Sequence, residues 1–343
     1  MQAFAASQRY LDHRAARDDP ARLAAMALTL APRNRAPEPA DRAAARVAWR
    51  RFETVGTSGL AAAGAGAPVS CAAMARILIA TVAAARLGLL PAAEAEERLS
   101  RGLRALAGIE LNERRLPGLW YRGGDLRPCD RRGGAVRRAA GWSATGILRL
   151  VAAFLIVARH HPALATEAAL VMNRWHLGIL CEGREFLSQP AEAPGPDEAA
   201  LAARTARLVG LTPPPRGAGG RADPASLLAE AMEFGWREGA AGRAARMLLA
   251  LRKGFERDGT LRAPRAGAQE GPALATGSGF AWQALMPTPF SRKLRDALDG
   301  LETETGWREG RGSDGRAVGG AGLATNAAVL EALHYRAFGP LFN

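Results

Sequence analysis

The run from Ser70 to Leu87 restricts the possible folds more than any other stretch. It sets Met74, Ile77, Leu78, Ile79, Val82 and Leu87 around most of one helix before Gly88 stops it. A helix at a protein surface shows an apolar stripe, whereas one that is apolar on most sides must be enclosed by other elements. The stretch Gly141-Trp142-Ser143-Ala144-Thr145-Gly146-Ile147-Leu148-Arg149-Leu150-Val151 poses the same problem, with a Gly-Trp turn feeding a second long apolar helix. Strand signals are almost absent, so other helices have to do the enclosing. Alanine supplies much of the 48% hydrophobic content, which implies a core of close helix contacts.

In chain order, the pattern predicts helices over Gln2–Arg17, Pro20–Leu30, Asp41–Thr54, Ser70–Leu87 and from Pro91 onward. Further helices follow over Trp142–Arg159, Pro162–Leu180, Asp197–Val209, Asp223–Trp236, Ala240–Glu256, Phe280–Leu285, Ser291–Leu301 and Asn326–Phe338. That is about twelve helices, mostly in hairpin pairs, an all-α class. Six such hairpins closed into a ring make an (α/α)6 toroid, with an open solenoid as the alternative; no strict repeat is visible. The division expected is an N-terminal helical extension over residues 1–40 and a single toroid domain over 41–343. Long loops gather at one end. The longest, Asn112–Ala140, is rich in Gly and Arg and contains Trp120 and Tyr121, which argue for order. Gly306–Gly322 has no phosphate-binding context and reads as a flexible loop.

The formal net charge is +13, and of the 46 basic residues all but Lys253 and Lys293 are Arg. A basic chain can bind nucleic acid or another polyanion. No basic cluster interleaves with aromatics, however, and abundant Arg, Ala, Gly and Pro beside scarce Lys is what a GC-rich genome gives. Compositional bias is therefore the preferred reading, and no specific nucleic-acid motif is present. Cys71, Cys129 and Cys181 are far apart with no CxxC, and His160-His161 sits at a helix end, so neither a metal site nor a cofactor is expected. Met1–Arg17 lacks an apolar signal region, and no apolar run is long enough to span a bilayer, so the expected location is cytoplasmic unless the true start lies elsewhere. Oligomeric state is not legible.

Glycosidic chemistry needs paired carboxyl groups, one to protonate the leaving oxygen and one to activate water or attack. Acids near predicted loop ends are Asp125, Asp130, Glu182, Glu185, Glu230, Glu233, Glu270 and Glu309. Asp130 lies among Arg127, Arg131 and Arg132, a setting that suits a base or an ion pair better than a general acid. Glu230 and Glu233 share a helix face and read as solvated surface acids. Ser143 lacks a GxSxG context and reads as a helix cap. Trp120, Tyr121, Trp142, Trp236, Trp282 and Trp307 fall at helix ends or loops, where they either stack on sugar rings or fill the core.

Three C-terminal blocks carry a family resemblance: Phe280-Ala281-Trp282-Gln283-Ala284-Leu285-Met286-Pro287-Thr288-Pro289-Phe290, Gly306-Trp307-Arg308-Glu309-Gly310-Arg311, and Thr325-Asn326-Ala327-Ala328-Val329-Leu330-Glu331-Ala332-Leu333-His334-Tyr335. Weaker matches are Arg86-Leu87-Gly88-Leu89-Leu90, Leu116-Pro117 with Tyr121, and Gly141-Trp142-Ser143-Ala144. Together they resemble bacterial domain-of-unknown-function family 3131, which is similar to glucoamylase-like α/α toroids. The resemblance implies a cleft lined by loops and helix N-termini and a polysaccharide or oligosaccharide ligand of glucan type. The candidate substrate-binding residues for such a ligand are Trp120, Tyr121, Trp142, Trp282, Trp307 and Asn326. The resemblance also implies acids where this chain has Ala73, Gly146 and, at a less certain register, Leu227. The expectation is a glycan-binding or scaffold protein with a degenerate hydrolase-like site. The alternatives are an active glycosidase or lyase using Asp130 with Glu230 or Glu309, and a basic helical module binding an acidic partner.

Overall fold

A computed structural model describes residues 19–29, 36–53, 59–60, 67–181, 186–189, 196–214, 224–237, 239–263 and 271–342. The helix expected over Gln2–Arg17 and the acids Glu182, Glu185 and Glu270 lie outside the described residues. Twelve α-helices are present among them: α1 Pro20–Thr29, α2 Pro39–Glu53, α3 Cys71–Arg86, α4 Ala92–Ala107, α5 Ala144–His160 and α6 Ala165–Asn173, then α7 Pro196–Leu208, α8 Pro224–Phe234, α9 Ala240–Asp258, α10 Thr276–Leu285, α11 Pro289–Asp296 and α12 Leu323–Phe338. Seven two-residue strands decorate the loops: β1 Pro68–Val69, β2 Tyr121–Arg122, β3 Leu274–Ala275, β4 Glu302–Thr303, β5 Gly306–Trp307, β6 Gly310–Arg311 and β7 Ala317–Val318.

Side-chain chemistry sets the helix limits. Ser70 and Ser143 cap α3 and α5, each hydroxyl accepting from a backbone N–H three residues on, at 3.3 Å from Ala73 and 3.1 Å from Gly146. Thr288 and Ser291 form a reciprocal capping box on α11. Helix α4 carries Glu94–Arg98 and Glu97–Arg101 pairs on its outer face. One expected helix, Pro162–Leu180, is instead a 3-10 turn, α6 and a second 3-10 turn over Leu177–Cys181. The break follows Asn173: the His176 N–H leaves the helix ladder and donates to the Arg115 carbonyl at 3.1 Å, while the Arg174 guanidinium donates to the carbonyls of Ala107 and Ile109.

Six helices pack neighbour to neighbour in a closed ring, in the order α3, α5, α7, α8, α10, α12 and back to α3. Helices α2, α4, α6, α9 and α11 lie outside them, and α1 rests on α9. The molecule is thus an α/α toroid. Because α7 and α8 are successive inner helices, five described outer helices face six inner ones, with no outer helix described between them. The core lies between the layers: α3 buries Met74, Ile77, Leu78, Ile79 and Val82, and α5 buries Ile147, Leu148, Leu150, Val151 and Phe154. Where α10 meets α12, Gly277 lies against Ala328, so close approach there depends on a missing side chain. The ring closes where α12 meets α2 and α3, and Arg336 near the end of α12 pairs with Asp41 at 2.7 Å.

The glycine-rich segment Gly306–Gly322 is structured. Strand β6 pairs with β3 and β7, β5 pairs with β4, and the Thr276 N–H donates to the Glu309 carbonyl at 2.9 Å. Asn112–Ala140 is held by bridges Leu111–Pro117, Tyr121–Pro128 and Cys129–Ala135 and by the β1–β2 pair. At the far end of the ring, the Leu341 and Phe342 N–H groups donate to the carbonyls of Met232 and Glu233, and Leu341 is fully buried. Among the described residues no helix is long and apolar enough to cross a membrane.

Candidate functional site

A cavity of about 370 Å³ opens at the end of the ring where the inner helices begin. All six inner helices line it, five through their first turns and α7 through Leu201 and Ala202. Five of them bring hydroxyl side chains: Ser70 before α3, Ser143 and Thr145 at α5, Ser226 in α8, Ser278 in α10 and Thr325 in α12. Small residues such as Ala72, Gly146, Ala225, Gly277 and Ala324 fill the spaces between them. Gly118, Leu119 and Trp120 from the long loop form one side, and Glu309 stands at another. The convergence of helix N-termini gives this end of the ring a positive dipole field.

The deeper wall is ionic. Arg76, Arg149 and Glu331 all line the cavity, from α3, α5 and α12. Arg149 pairs with Glu233 of α8 and lies 3.7 Å from Glu331. Both carboxyl groups are almost fully buried, Glu233 at 0% and Glu331 at 2% exposure. Burial, and then the adjacent Glu233 carboxylate, push Glu331 up to about 8, against the pull of Arg149 and Arg76. Glu331 therefore holds its proton at neutral pH, and titration belongs to the pair. Cys71, also on the wall, is no nucleophile, since burial raises its thiol to about 12.

This pair has a measurable consequence. A carboxyl group whose value rises on folding binds more protons in the folded chain than in the unfolded one, so it makes stability fall as pH rises. For Glu331 the stabilisation is complete below about 4.5 and gone above about 8. Glu331→Gln removes the titration, so the stability of the variant relative to the parent should increase across that range by an amount on the order of a few kcal/mol. Urea denaturation at several pH values measures it; a constant difference between the two chains would refute the buried pair.

The residues singled out in the sequence distribute as follows. Among the described candidate acids, Glu309 alone lines the cavity, its carboxylate lying against Gly319 and Gly322. Asp130 is exposed in the long loop, where its carboxylate accepts from the N–H groups of Arg132 and Gly134, both at 2.8 Å. Asp125 pairs with Arg122 and Arg127. Glu230 is buried away from the cavity with Arg237 at 2.7 Å and Arg204 at 3.6 Å, so neither Glu230 nor Glu233 is a solvated surface acid.

Of the aromatics, Trp120 lines the cavity. Tyr121 is fully buried, its hydroxyl donating to the Glu110 carbonyl and accepting from the Gly118 N–H. Trp142 donates its indole N–H to the Leu187 carbonyl at 2.7 Å beneath the wall. Trp282 and Trp307 belong to the core, and the Trp307 indole donates to the Ala44 carbonyl at 3.0 Å. Asn326 accepts from the Trp307 N–H at 2.8 Å and donates to the Trp307 and Gly322 carbonyls, so it ties the β5 segment to α12. Gly146 lines the cavity, as does Ala72 beside Ala73, while Leu227 is buried next to the lining residue Leu228.

Sequence reasoning passed over Arg76, Arg149 and Glu331. Their signal is a charged residue embedded in an otherwise apolar helix, as in Leu148-Arg149-Leu150 and Leu330-Glu331-Ala332. Such residues are seldom fully buried unless paired. Among the described residues no group of three or more His, Cys, Asp or Glu side chains is placed to hold a metal ion.

The fold and its cavity place the molecule among α/α toroids with a pocket at the N-terminal ends of the inner helices. The chain belongs to the family described as protein of unknown function DUF3131, which it matches over residues 43–202 and 265–339. Solved structures share the fold. A candidate glucoamylase from Bacteroides uniformis is 11% identical, with a TM-score of 0.65 over 88% of this chain and 92% of that one. An endo-β-1,2-glucanase from Chitinophaga pinensis, in complex with sophorotriose and glucose, is 9% identical, with a TM-score of 0.60 over 88% of this chain and 93% of that one. A β-1,2-glucanase from Parabacteroides distasonis is 11% identical, with a TM-score of 0.59 over 93% of this chain and 57% of that one. At these identities the likeness establishes the architecture. No curated protein sequence matches the chain significantly.

Proposed function

We propose that the chain binds an oligosaccharide or a polysaccharide end in the ring cavity and has lost the acids for efficient hydrolysis. The observation that carries this reading is the lining. A cavity of about 370 Å³ falls within the usual range for small-molecule sites. Its ring of Ser and Thr hydroxyls suits sugar hydroxyl groups, and Trp120 offers an aromatic surface to sugar C–H faces. The first turn of α5 presents Gly146 to the cavity, where the family resemblance implies a carboxylate. The solved toroids that act on glucans support a saccharide ligand, and the binding reading keeps that ligand class without their chemistry.

One observation favours hydrolysis instead. Glu331 lines the cavity and keeps its proton at neutral pH, as a general acid must, while Glu309 is a second carboxyl group lining the same cavity. The two readings separate in one experiment. Binding of β-1,2-gluco-oligosaccharides is measured by calorimetry with the parent chain, Trp120→Ala, Glu309→Gln and Glu331→Gln, while released reducing ends are followed in parallel. Under the binding reading, Trp120→Ala weakens affinity by about 1–2 kcal/mol, roughly five- to thirtyfold, and no reducing ends appear. Steady release of reducing ends that Glu331→Gln and Glu309→Gln each abolish would establish the hydrolase. Unchanged affinity in Trp120→Ala would remove the cavity as the binding site.

A further inference from the structure

The +13 charge is unevenly placed on the described surface. Arg131, Arg132, Arg137 and Arg138 all fall within one segment of the long loop, and all four are exposed. None forms an ion pair among the described residues. The nearest acid in sequence, Asp130, has turned its carboxylate onto the backbone N–H groups of Arg132 and Gly134. Asp125 is taken by Arg122 and Arg127, and Glu110 accepts from the Ala139 N–H at 3.1 Å. Glu113 is exposed on the same loop, so the segment keeps a net positive charge.

The segment also adjoins the cavity. The Leu119 N–H donates to the Ala140 carbonyl at 3.2 Å, and the Cys129 N–H donates to the Trp120 carbonyl at 3.1 Å. Gly118 lies against Ala139 closely enough that an added Cβ would fall 3.1 Å from the Ala139 side chain. Gly118, Leu119 and Trp120 are the cavity wall. The arginine segment is therefore the outer edge of the strip whose inner edge is that wall. Inside, the positive ends of the inner helices face the cavity, whose lining sets Arg76 and Arg149 beside Glu331, with Glu309 at another side.

We propose that the ligand is an acidic, uronate-bearing polysaccharide, with the Arg131–Arg138 segment holding the chain that extends from the unit seated against Trp120. The inference rests on the saccharide reading above and specifies its charge class. Compositional bias explains why arginine is the basic residue used here; it does not explain four exposed, unpaired arginines beside the cavity wall. A polyanion with one carboxylate on each sugar suits a cluster of exposed guanidinium groups, which bind carboxylates through paired N–H donors.

The test uses the full chain, an oligogalacturonate, a neutral gluco-oligosaccharide of equal length and a single-stranded oligonucleotide, each titrated at low and high salt. The variants are Trp120→Ala and the fourfold Arg131→Ala, Arg132→Ala, Arg137→Ala, Arg138→Ala. The expected result is that oligogalacturonate binds more tightly than the neutral sugar, and that salt or the fourfold change weakens it about tenfold or more. Affinity for the neutral sugar stays the same in the fourfold variant, and Trp120→Ala weakens both sugars. Equal binding of the two sugars, indifferent to salt and to the fourfold change, would overturn the acidic-ligand inference and leave the saccharide reading standing. An oligonucleotide bound as tightly as oligogalacturonate, and unaffected by Trp120→Ala, would overturn it in favour of a nucleic-acid surface. No binding of either sugar would overturn the inference and the saccharide reading together.

Discussion

Arg149→Ala is expected to destabilise the fold by about 3–5 kcal/mol, because it strips the partner from a carboxylate that water cannot reach. Glu233 is fully buried, and Arg149 is its cation across the cavity floor. Glu331 relieves part of the charge by holding a proton, but Arg149 also faces Glu331 at 3.7 Å. Removing both members of the ion pair should cost less than removing one. A chain carrying Arg149→Met with Glu233→Gln should regain a good part of the loss, since an apolar or neutral group of similar size leaves no uncompensated charge. Urea denaturation of the three chains gives the comparison. Equal stability of Arg149→Ala and the parent would mean that the floor is solvated and that Glu331 titrates as an ordinary surface acid.

Gly141→Ala should have an effect of similar size for a purely geometric reason. Gly141 sits at φ +60°, and a Cβ there would overlap the Gln189 carbonyl oxygen and come within 2.9 Å of the Leu119 side chain. That oxygen accepts the Trp142 N–H at 2.8 Å, and the Gln189 N–H returns a bond to the Trp142 carbonyl at 2.9 Å. The substitution therefore breaks the bridge that anchors the start of α5 and shifts the Leu119 wall. We expect a loss of about 3 kcal/mol or more, from left-handed strain and two displaced backbone hydrogen bonds. Gly146→Ala is the control five residues on. Its Cβ would meet the Ser143 hydroxyl at 3.2 Å at ordinary backbone angles, and the gain in helix propensity of about 1 kcal/mol offsets that contact. Thermal denaturation of both variants decides the matter; comparable losses would show that α5 is held elsewhere.

Much of the architecture could be read from spacing. The enclosed character of α3 and α5 follows from apolar residues on most sides of each, and Ser143 is legible as a cap because a Ser opens an apolar run. The break after α6 is not legible, because it depends on the His176 backbone bonding to the Arg115 carbonyl, more than sixty residues earlier in the chain. The order within Gly306–Gly322 is hidden from sequence for a related reason. Glycines there permit close pairing of β3 with β6, where a Cβ on Gly310 would overlap the Leu274 carbonyl oxygen, yet from sequence alone glycine signals only freedom.

The site was harder. Trp282, Trp307 and Trp120 look alike in sequence, near loops and helix ends. What separates them is the partner on the other side: Trp307 finds the Ala44 carbonyl from a helix 263 residues away in sequence, and Trp120 faces the cavity. Glu309 was readable as an acid near a loop end. Glu331 and Arg149 were readable in principle, as charges that an apolar helix has no reason to carry unless they meet.

The pairing of Arg336 with Asp41 joins the last described helix of the ring to the layer that begins it. The cavity is consequently a property of circular order and not of linear order. No inner helix is terminal in space, and each wall depends on the two beside it. Nothing local completes the pocket of a partly assembled ring, since its lining runs from Ser70 before α3 to Glu331 in α12. Contacts of that span make for slow folding. They also mean that a circularly permuted chain, cut at the turn around Gly88 and rejoined across α12 and α2, would contain every wall of the same pocket.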